Sequence, residues 1–198
     1  MRRLGTKVAA LLLAGAGLTL AVPGTLGTAS AAGSPTAAAA GCTAGWGSLP
    51  KVSTETDYKP LRDIRTGRHA CYDRMVLDVL GPDAHGPIGY RVGYVEAMHQ
   101  DGSGDVVPVG GGAILDVRVA APAYDPRTGQ ATYDGRARQP LPDVDLSGYR
   151  TFQDTRFGGS FEGVSQVALG VRGRLPFRVF QWGNHLVVDV AHSWRGFR

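Results

Sequence analysis

Only two of the 198 residues are cysteine. That excludes a multi-disulfide framework, and it leaves one possible pairing, Cys42 with Cys71. Charge is scarce too. Asp, Glu, Lys and Arg make up 19% of the chain, and the formal net charge is +4. Arg2, Arg3 and Lys7 lie among the first seven residues with no acid beside them, so the remainder carries only +1 (4 − 3). Such a balance gives no strong field for nucleic acid or an anionic membrane. Long windows with apolar residues at i, i+3, i+4 and i+7 are missing, which argues against a helical fold. After the N-terminal stretch no segment reaches the ~20 apolar residues that a membrane-spanning helix needs.

Recognisable catalytic signatures are also lacking. His69, His85, His99, His185 and His192 form neither H-E-x-x-H nor a Cys/His zinc spacing. His192 shares a strand face with Val188 and Val190, which suits a structural role at a strand end. Gly110-Gly111-Gly112 has no Lys-Ser/Thr pair and no helix after it, so it reads as a hinge into a strand and not as a phosphate loop. No G-x-S-x-G occurs; after Gly163-Val164-Ser165, Val167 stands where the second glycine would be. No metal or cofactor is expected. His69 is the only base close in sequence to Cys71, so a nucleophilic thiol is the lesser reading beside a disulfide.

What is present begins with a leader. A basic start at Met1–Lys7, an apolar run over Val8–Val22 and small residues at Ala29-Ser30-Ala31 predict a cleaved signal peptide over residues 1–31. The apolar run is short and broken by Gly15 and Gly17, unlike an anchor. Gly5 and Thr6 disfavour twin-arginine export. Ala39-Ala40-Gly41-Cys42 ends like a lipobox but lies too far past Val22 to serve as one. Residues 32–41 hold only Ala, Gly, Ser, Thr and Pro and predict a flexible tether. An exported chain favours the Cys42–Cys71 disulfide, which would stabilise the fold by about 3–4 kcal/mol through loop closure. Residues 42–198 form the domain.

That domain reads as short alternating runs between turn-formers. Strands are predicted at Leu61–Arg65, ending in a Thr66-Gly67 turn, and at Arg74–Leu80, with Met75, Leu77 and Val79 inward. Others are predicted at Tyr90–Ala97 and at Ile114–Ala121, where Asp116 and Arg118 point out. Tyr149–Phe157 should be broken by Gly158-Gly159. Val164–Val171 is followed by a hairpin of Leu175–Trp182 and His185–Ala191 about Gly183-Asn184. Ala121–Ser147, with four prolines, is a long loop with room for one helical turn. The fold class is all-β, a small two-sheet β-sandwich of short antiparallel strands. Arg74–Val79 and Leu186–Val190 share an apolar–Val–apolar–Asp–Val pattern, compatible with matching strands of two related halves.

Several residues could carry binding. Arg150, Arg156, Arg172, Arg174 and Arg178 gather around the last strands, and Arg178, Phe180 and Trp182 share one strand face. Forked guanidinium donors and aromatic faces together suit an anionic glycan; the plainer reading is a solvated sheet face. Glu162, between Phe161 and Gly163, is the most suggestive acid, although a solvent-facing or structural carboxylate is the commoner outcome. Asp143, Asp145, Ser147 and Asp154 imitate a calcium loop. Leu146, Arg150, Pro140 and Pro142 break the motif.

Phe161-Glu162-Gly163, Gly170, Pro176-Phe177-Arg178-Val179 and Leu186-Val187-Val188-Asp189-Val190 together resemble the AMIN-like domain of secreted actinobacterial proteins. Cys71-Tyr72-Asp73-Arg74 and Gly89–Val95 fit it as well, and the likeness spans Trp46 to Ala191. Gly183-Asn184-His185 departs from it, since relatives tend to have a Pro and an Arg there. The resemblance implies a small β-sandwich, related to AMIN domains that accompany cell-wall amidases and pilus secretins and are thought to target peptidoglycan. The expected function is a non-catalytic, secreted or envelope-associated module that binds peptidoglycan or an associated wall polymer. Its candidate binding residues are Arg150, Arg156, Glu162, Arg174, Arg178, Phe180 and Trp182. Alternatives are a secreted hydrolase of wall glycan using Glu162 or a scattered His/Asp set, and an interaction domain for another exported protein with apolar surface at Tyr124 and Tyr133.

Overall fold

The computed structural model describes residues 46–79 and 85–194. The leader, the tether and Cys42 lie outside the described residues, and the Cys42–Cys71 pairing with them. Eleven strands occupy the described part: β1 Lys51–Ser53, β2 Asp63–Arg68, β3 Tyr72–Asp78, β4 Tyr90–Val95, β5 Met98–His99, β6 Val106–Val107, β7 Ala113–Val119, β8 Phe152–Phe161, β9 Val164–Val171, β10 Phe177–Trp182 and β11 His185–Ala191. Among the described residues no helix is long and apolar enough to cross a membrane.

The strands build an all-β sandwich. One sheet runs β1-β4-β7-β9-β8, the other β10-β11-β3-β2, and every pairing is antiparallel. Successive residues of a strand face opposite ways, and one face of each sheet is apolar. Met75, Leu77 and Val79 follow the predicted alternation inward, as do Leu115, Val117 and Val119 of β7 and Val167, Leu169 and Val171 of β9, all in one shared core. Each such fully buried side chain contributes about 1.5–3 kcal/mol.

The two strands with the repeated pattern are direct neighbours. β3 and β11 pair at the centre of the four-stranded sheet, with Leu77 opposite Leu186, Met75 opposite Val188 and Arg74 opposite Asp189. The hairpin about Gly183-Asn184 forms as predicted, Trp182 facing His185. On the open side of β10, the Phe177 N–H donates to the Gly47 carbonyl at 2.9 Å. That contact sets Trp46 against Tyr72 and Ala191 on the outer face.

Several boundaries differ from expectation. Thr66-Gly67 lies inside β2, because the ladder runs on until Arg68 faces Asp73; the chain reverses at residues 69–71, where the His69 N–H donates to the Tyr72 carbonyl at 3.0 Å. Gly158-Gly159 does not end a strand. It forms a bulge, a register shift between Phe157 and Gly159, and β8 continues to Phe161. β8 begins at Phe152, and Tyr149 instead stacks on Phe152 at 5.8 Å. The 121–147 loop has no helical turn, only an isolated bridge between Tyr124 and Ala131. Asp116 points away from the core as predicted but not into solvent, since β5 and β6 fold over that face and bury it. Met98, Val107 and Ala168 make a small second core beneath this flap. Gly110–Gly112 leads into β7 as expected and lies against β9. A Cβ at Gly170 would overlap the Gly110 carbonyl oxygen, which requires glycine there.

Candidate functional site

The outer face of the four-stranded sheet is set by alternation on β3, β10 and β11. Val188 and Val190 face the core, so Val187 and Asp189 face outward. Tyr72, Arg74 and Val76 do the same on β3, and Arg178, Phe180 and Trp182 on β10. Asp189 sits between Arg74 and Arg178, its register partners on either side. Although it is 0% exposed, its oxygens are fully engaged. Arg74 donates from Nε to Oδ1 at 2.6 Å and from Nη2 to Oδ2 at 2.9 Å, and Arg178 donates from Nε to Oδ2 at 2.8 Å. The hydrogen bond to Asp189 holds the Arg74 guanidinium above its ordinary range despite partial burial.

Aromatic rings enclose this cluster. The Arg178 guanidinium lies 4.4 Å from the Trp46 ring centroid, 5.0 Å from Phe180 and 5.5 Å from Tyr72. Arg74 lies 5.2 Å from Tyr72 and 5.6 Å from Phe180. Beside the cluster a groove has Val76 and Val187 among its lining, with Arg65, Arg74, Trp182 and His185. Trp182 is 69% exposed, so its ring is free to cover a ligand. The charges are already paired within the protein: Arg74 and Arg178 on Asp189, and Arg65 beside Asp63 at 3.6 Å. The face therefore offers aromatic and apolar surface with fixed guanidinium donors, and these pairs leave a surplus of only one positive charge, unlike the broad basic patch that arginine-counting suggests.

Of the seven predicted binding residues, this face brings together Arg178, Phe180 and Trp182. The other four are dispersed. Arg150 lies before β8; its Nη1 donates to the Ala70 carbonyl at 3.4 Å. Arg156 is on the outer face of the other sheet, paired with Asp154 at 3.0 Å. Arg174 is in the β9–β10 turn, its guanidinium 5.3 Å from the Tyr94 ring. Arg172, also in that turn, donates from Nη2 to the His192 carbonyl. Glu162 is exposed in the β8–β9 turn. Its φ of 47° and the 82° of Gly163 fit a two-residue hairpin turn with both central residues left-handed. Phe161-Glu162-Gly163 is thus a turn signature. Sequence reasoning missed Arg74, Arg65, Trp46 and Asp189 as parts of the site. The signal was the aspartate repeated in the Asp-Val pattern, which marked a strand position whose charge needs partners.

A Thr-His-Asp group lies at the inner end of the sandwich. Thr151 Oγ1 is 2.9 Å from His192 Nδ1, and His192 Nε2 is 3.0 Å from the His69 carbonyl and 3.9 Å from Asp73 Oδ1. All three side chains are buried. With Nε2 on the His69 carbonyl and Nδ1 on the Thr151 hydroxyl, which also donates to the Ala191 carbonyl at 3.2 Å, His192 works as a strand-end clasp. The calcium-like stretch is dispersed as well. Asp145 accepts the Ser147 N–H at 2.8 Å, Val144 and Leu146 pack on the core, and Asp154 lies in β8, bound to Gly110 N–H. Among the described residues no three His, Cys, Asp or Glu side chains gather as a metal site. Tyr133 is buried edge-on against Phe157 at 5.3 Å, so it adds nothing to the exposed apolar patch that would favour an interaction domain.

No curated protein and no solved structure matches this chain. The model of one family, the AMIN-like domain, matches residues 59–192, which span all but the first strand of the sandwich and take in both Arg74 and Asp189. With that match over more than half its length, the chain belongs to the AMIN-like domain family.

Proposed function

We propose that this protein is a non-catalytic module of the cell envelope that binds a wall glycan, peptidoglycan or a polymer attached to it, on the outer face of the four-stranded sheet. Membership of the AMIN-like family supports a place at the envelope. The observation that carries the reading is Trp182, a large aromatic left exposed at the rim of an apolar groove beside two immobilised guanidinium groups. An exposed indole stacks on sugar rings, and arginines held by Asp189 present fixed donors without reorganisation. The non-catalytic part rests on burial of the Thr151–His192–Asp73 group and on the hairpin-turn position of Glu162. Export with removal of residues 1–31, and a Cys42–Cys71 bond, belong to the same reading and rest on the leader's sequence pattern.

Cosedimentation with purified cell-wall sacculi is the test. The wild-type protein is expected in the pellet, and Trp182→Ala is expected to bind about tenfold more weakly, equivalent to about 1.4 kcal/mol. Because the arginines are already paired, binding should change little between low salt and about 0.5 M salt. Wild-type protein left wholly in the supernatant at low salt overturns the proposal.

A further inference from the structure

A second site lies on the other sheet. Arg91 of β4 and Arg118 of β7 stand directly opposite one another, and both point away from the core. Like charges in that position repel. Arg118 is compensated: its Nε donates to Asp116 Oδ2 at 2.9 Å, and its Nη1 is 2.9 Å from Asp101 Oδ1. Both carboxylates are placed by one buried amide. Gln166 donates from Nε2 to Asp116 Oδ1 at 3.2 Å and accepts the Asp101 N–H on Oε1 at 3.1 Å. A buried amide side chain with such partners fixes a geometry that packing alone would not. Arg91 has no such compensation; it is exposed and forms no ion pair among the described residues.

Beside the two arginines opens a cleft of about 580 Å³. Its walls include Tyr58 and Phe161, which are 53% and 47% exposed. The two rings come from distant parts of the chain and are held in place by contacts with glycine. Tyr58 approaches Gly163, and Phe161 lies over Gly102. The cleft therefore combines the Arg91 guanidinium, which forms no ion pair among the described residues, with Arg118 held between two carboxylates, two open aromatic faces and the exposed carboxylate of Glu162 in its lining.

We propose that this cleft binds a carboxylate carried on a ring, with acidic sugars as the ligand class. Arg91 and the remaining donors of Arg118 take the carboxylate as a fork, and Phe161 and Tyr58 cover the ring. The site goes beyond the Trp182 groove and stands or falls independently of it.

The test is an amide-resolved NMR titration of the full domain with glucuronate, glucose and inorganic phosphate as probes. Millimolar glucuronate is expected to shift the resonances of Arg91, Arg118 and Gly163, while glucose leaves them in place. Arg91→Ala and Phe161→Ala should each weaken glucuronate binding at least fivefold. Arg127→Ala, which removes a remote exposed arginine, should not. Three results would overturn the proposal: no shifts with glucuronate, equal shifts with glucose, or phosphate binding as tightly as glucuronate with no loss in Phe161→Ala.

Discussion

Two buried aspartates sit one register step apart in the four-stranded sheet and do opposite work. Asp73 points inward from β3, opposite Val190; Asp189 points outward from β11, opposite Arg74. Asp73 Oδ2 accepts the backbone N–H groups of Arg150, Thr151 and Phe152 at 3.1, 2.6 and 3.1 Å. It thereby ends the long loop and starts β8. Asp189 accepts only side-chain donors, all from arginines that reach the surface. The first carboxylate closes the fold, whereas the second organises a face. A buried charge tied to backbone is a structural fastener, and one tied to half-exposed arginines shapes what the surface offers.

The sharpest way to break this comparison is to remove each carboxylate. Asp73→Ala orphans the buried N–H groups of Thr151 and Phe152 and the part-buried one of Arg150, and is expected to destabilise the domain by about 3–5 kcal/mol, measured by urea denaturation. A loss under about 1 kcal/mol would show that the loop holds without its fastener. Asp189→Ala releases two arginines that can turn to water, so about 2 kcal/mol is expected. It should also loosen the Arg178 stack on Trp46, seen as a change in tryptophan fluorescence. If Asp189→Ala costs more than Asp73→Ala, the distinction fails. Trp182→Ala completes the series on the outer face. Its stability should stay within about 0.5 kcal/mol of wild type, so loss of sacculus binding in this variant reports on the face and not on folding.

The inner half of the comparison was easier to read in the sequence than the outer half. Period-2 alternation placed Met75 and Leu77 on the core side and put Val188 and Val190 on one face, because burial of alternate apolar residues is a local rule. The shared face of Arg178, Phe180 and Trp182 followed from the same rule. Which strands become neighbours is not local, so the sequence offered no reason to join Arg74 to Asp189, 115 residues away. The repeated Asp-Val pattern suggested kinship of the two strands, and the structure makes them direct neighbours. For the same reason arginine clustering in sequence misled: Arg156 and Arg178 are near in the chain but lie on the outer faces of different sheets. Glycine was ambiguous because it permits turn, bulge and strand alike. Gly67 and Gly158 remain in strands, while Gly163 makes a turn.

The smallest predicted effect sharpens the comparison because it reads both aspartates at once. His69 stacks on Tyr72 at 4.5 Å, and its carbonyl meets His192 of the inner clasp. Partial burial pushes its imidazole below the ordinary value of 6.5. Arg74 and Arg178 push it further in the same direction, while Asp189 and Asp73 pull it back up. The consequence for stability has a definite sign. Above pH 6.5 both folded and unfolded His69 are neutral, and its contribution is complete. As pH falls below 6.5 the unfolded chain takes up the proton first, so stability declines until the lower folded value is passed and then levels off. His69→Gln should flatten this decline in denaturation curves between pH 5 and 7, with only a small change because the ring is largely open to water. Histidine NMR titrations separate the two sides. Arg74→Ala should raise the His69 midpoint, whereas Asp189→Asn should lower it by removing negative charge. A midpoint that moves in neither variant would mean that the outer arginine cluster exerts no field across the sheet, and that the two aspartates stand in regions electrostatically independent of one another.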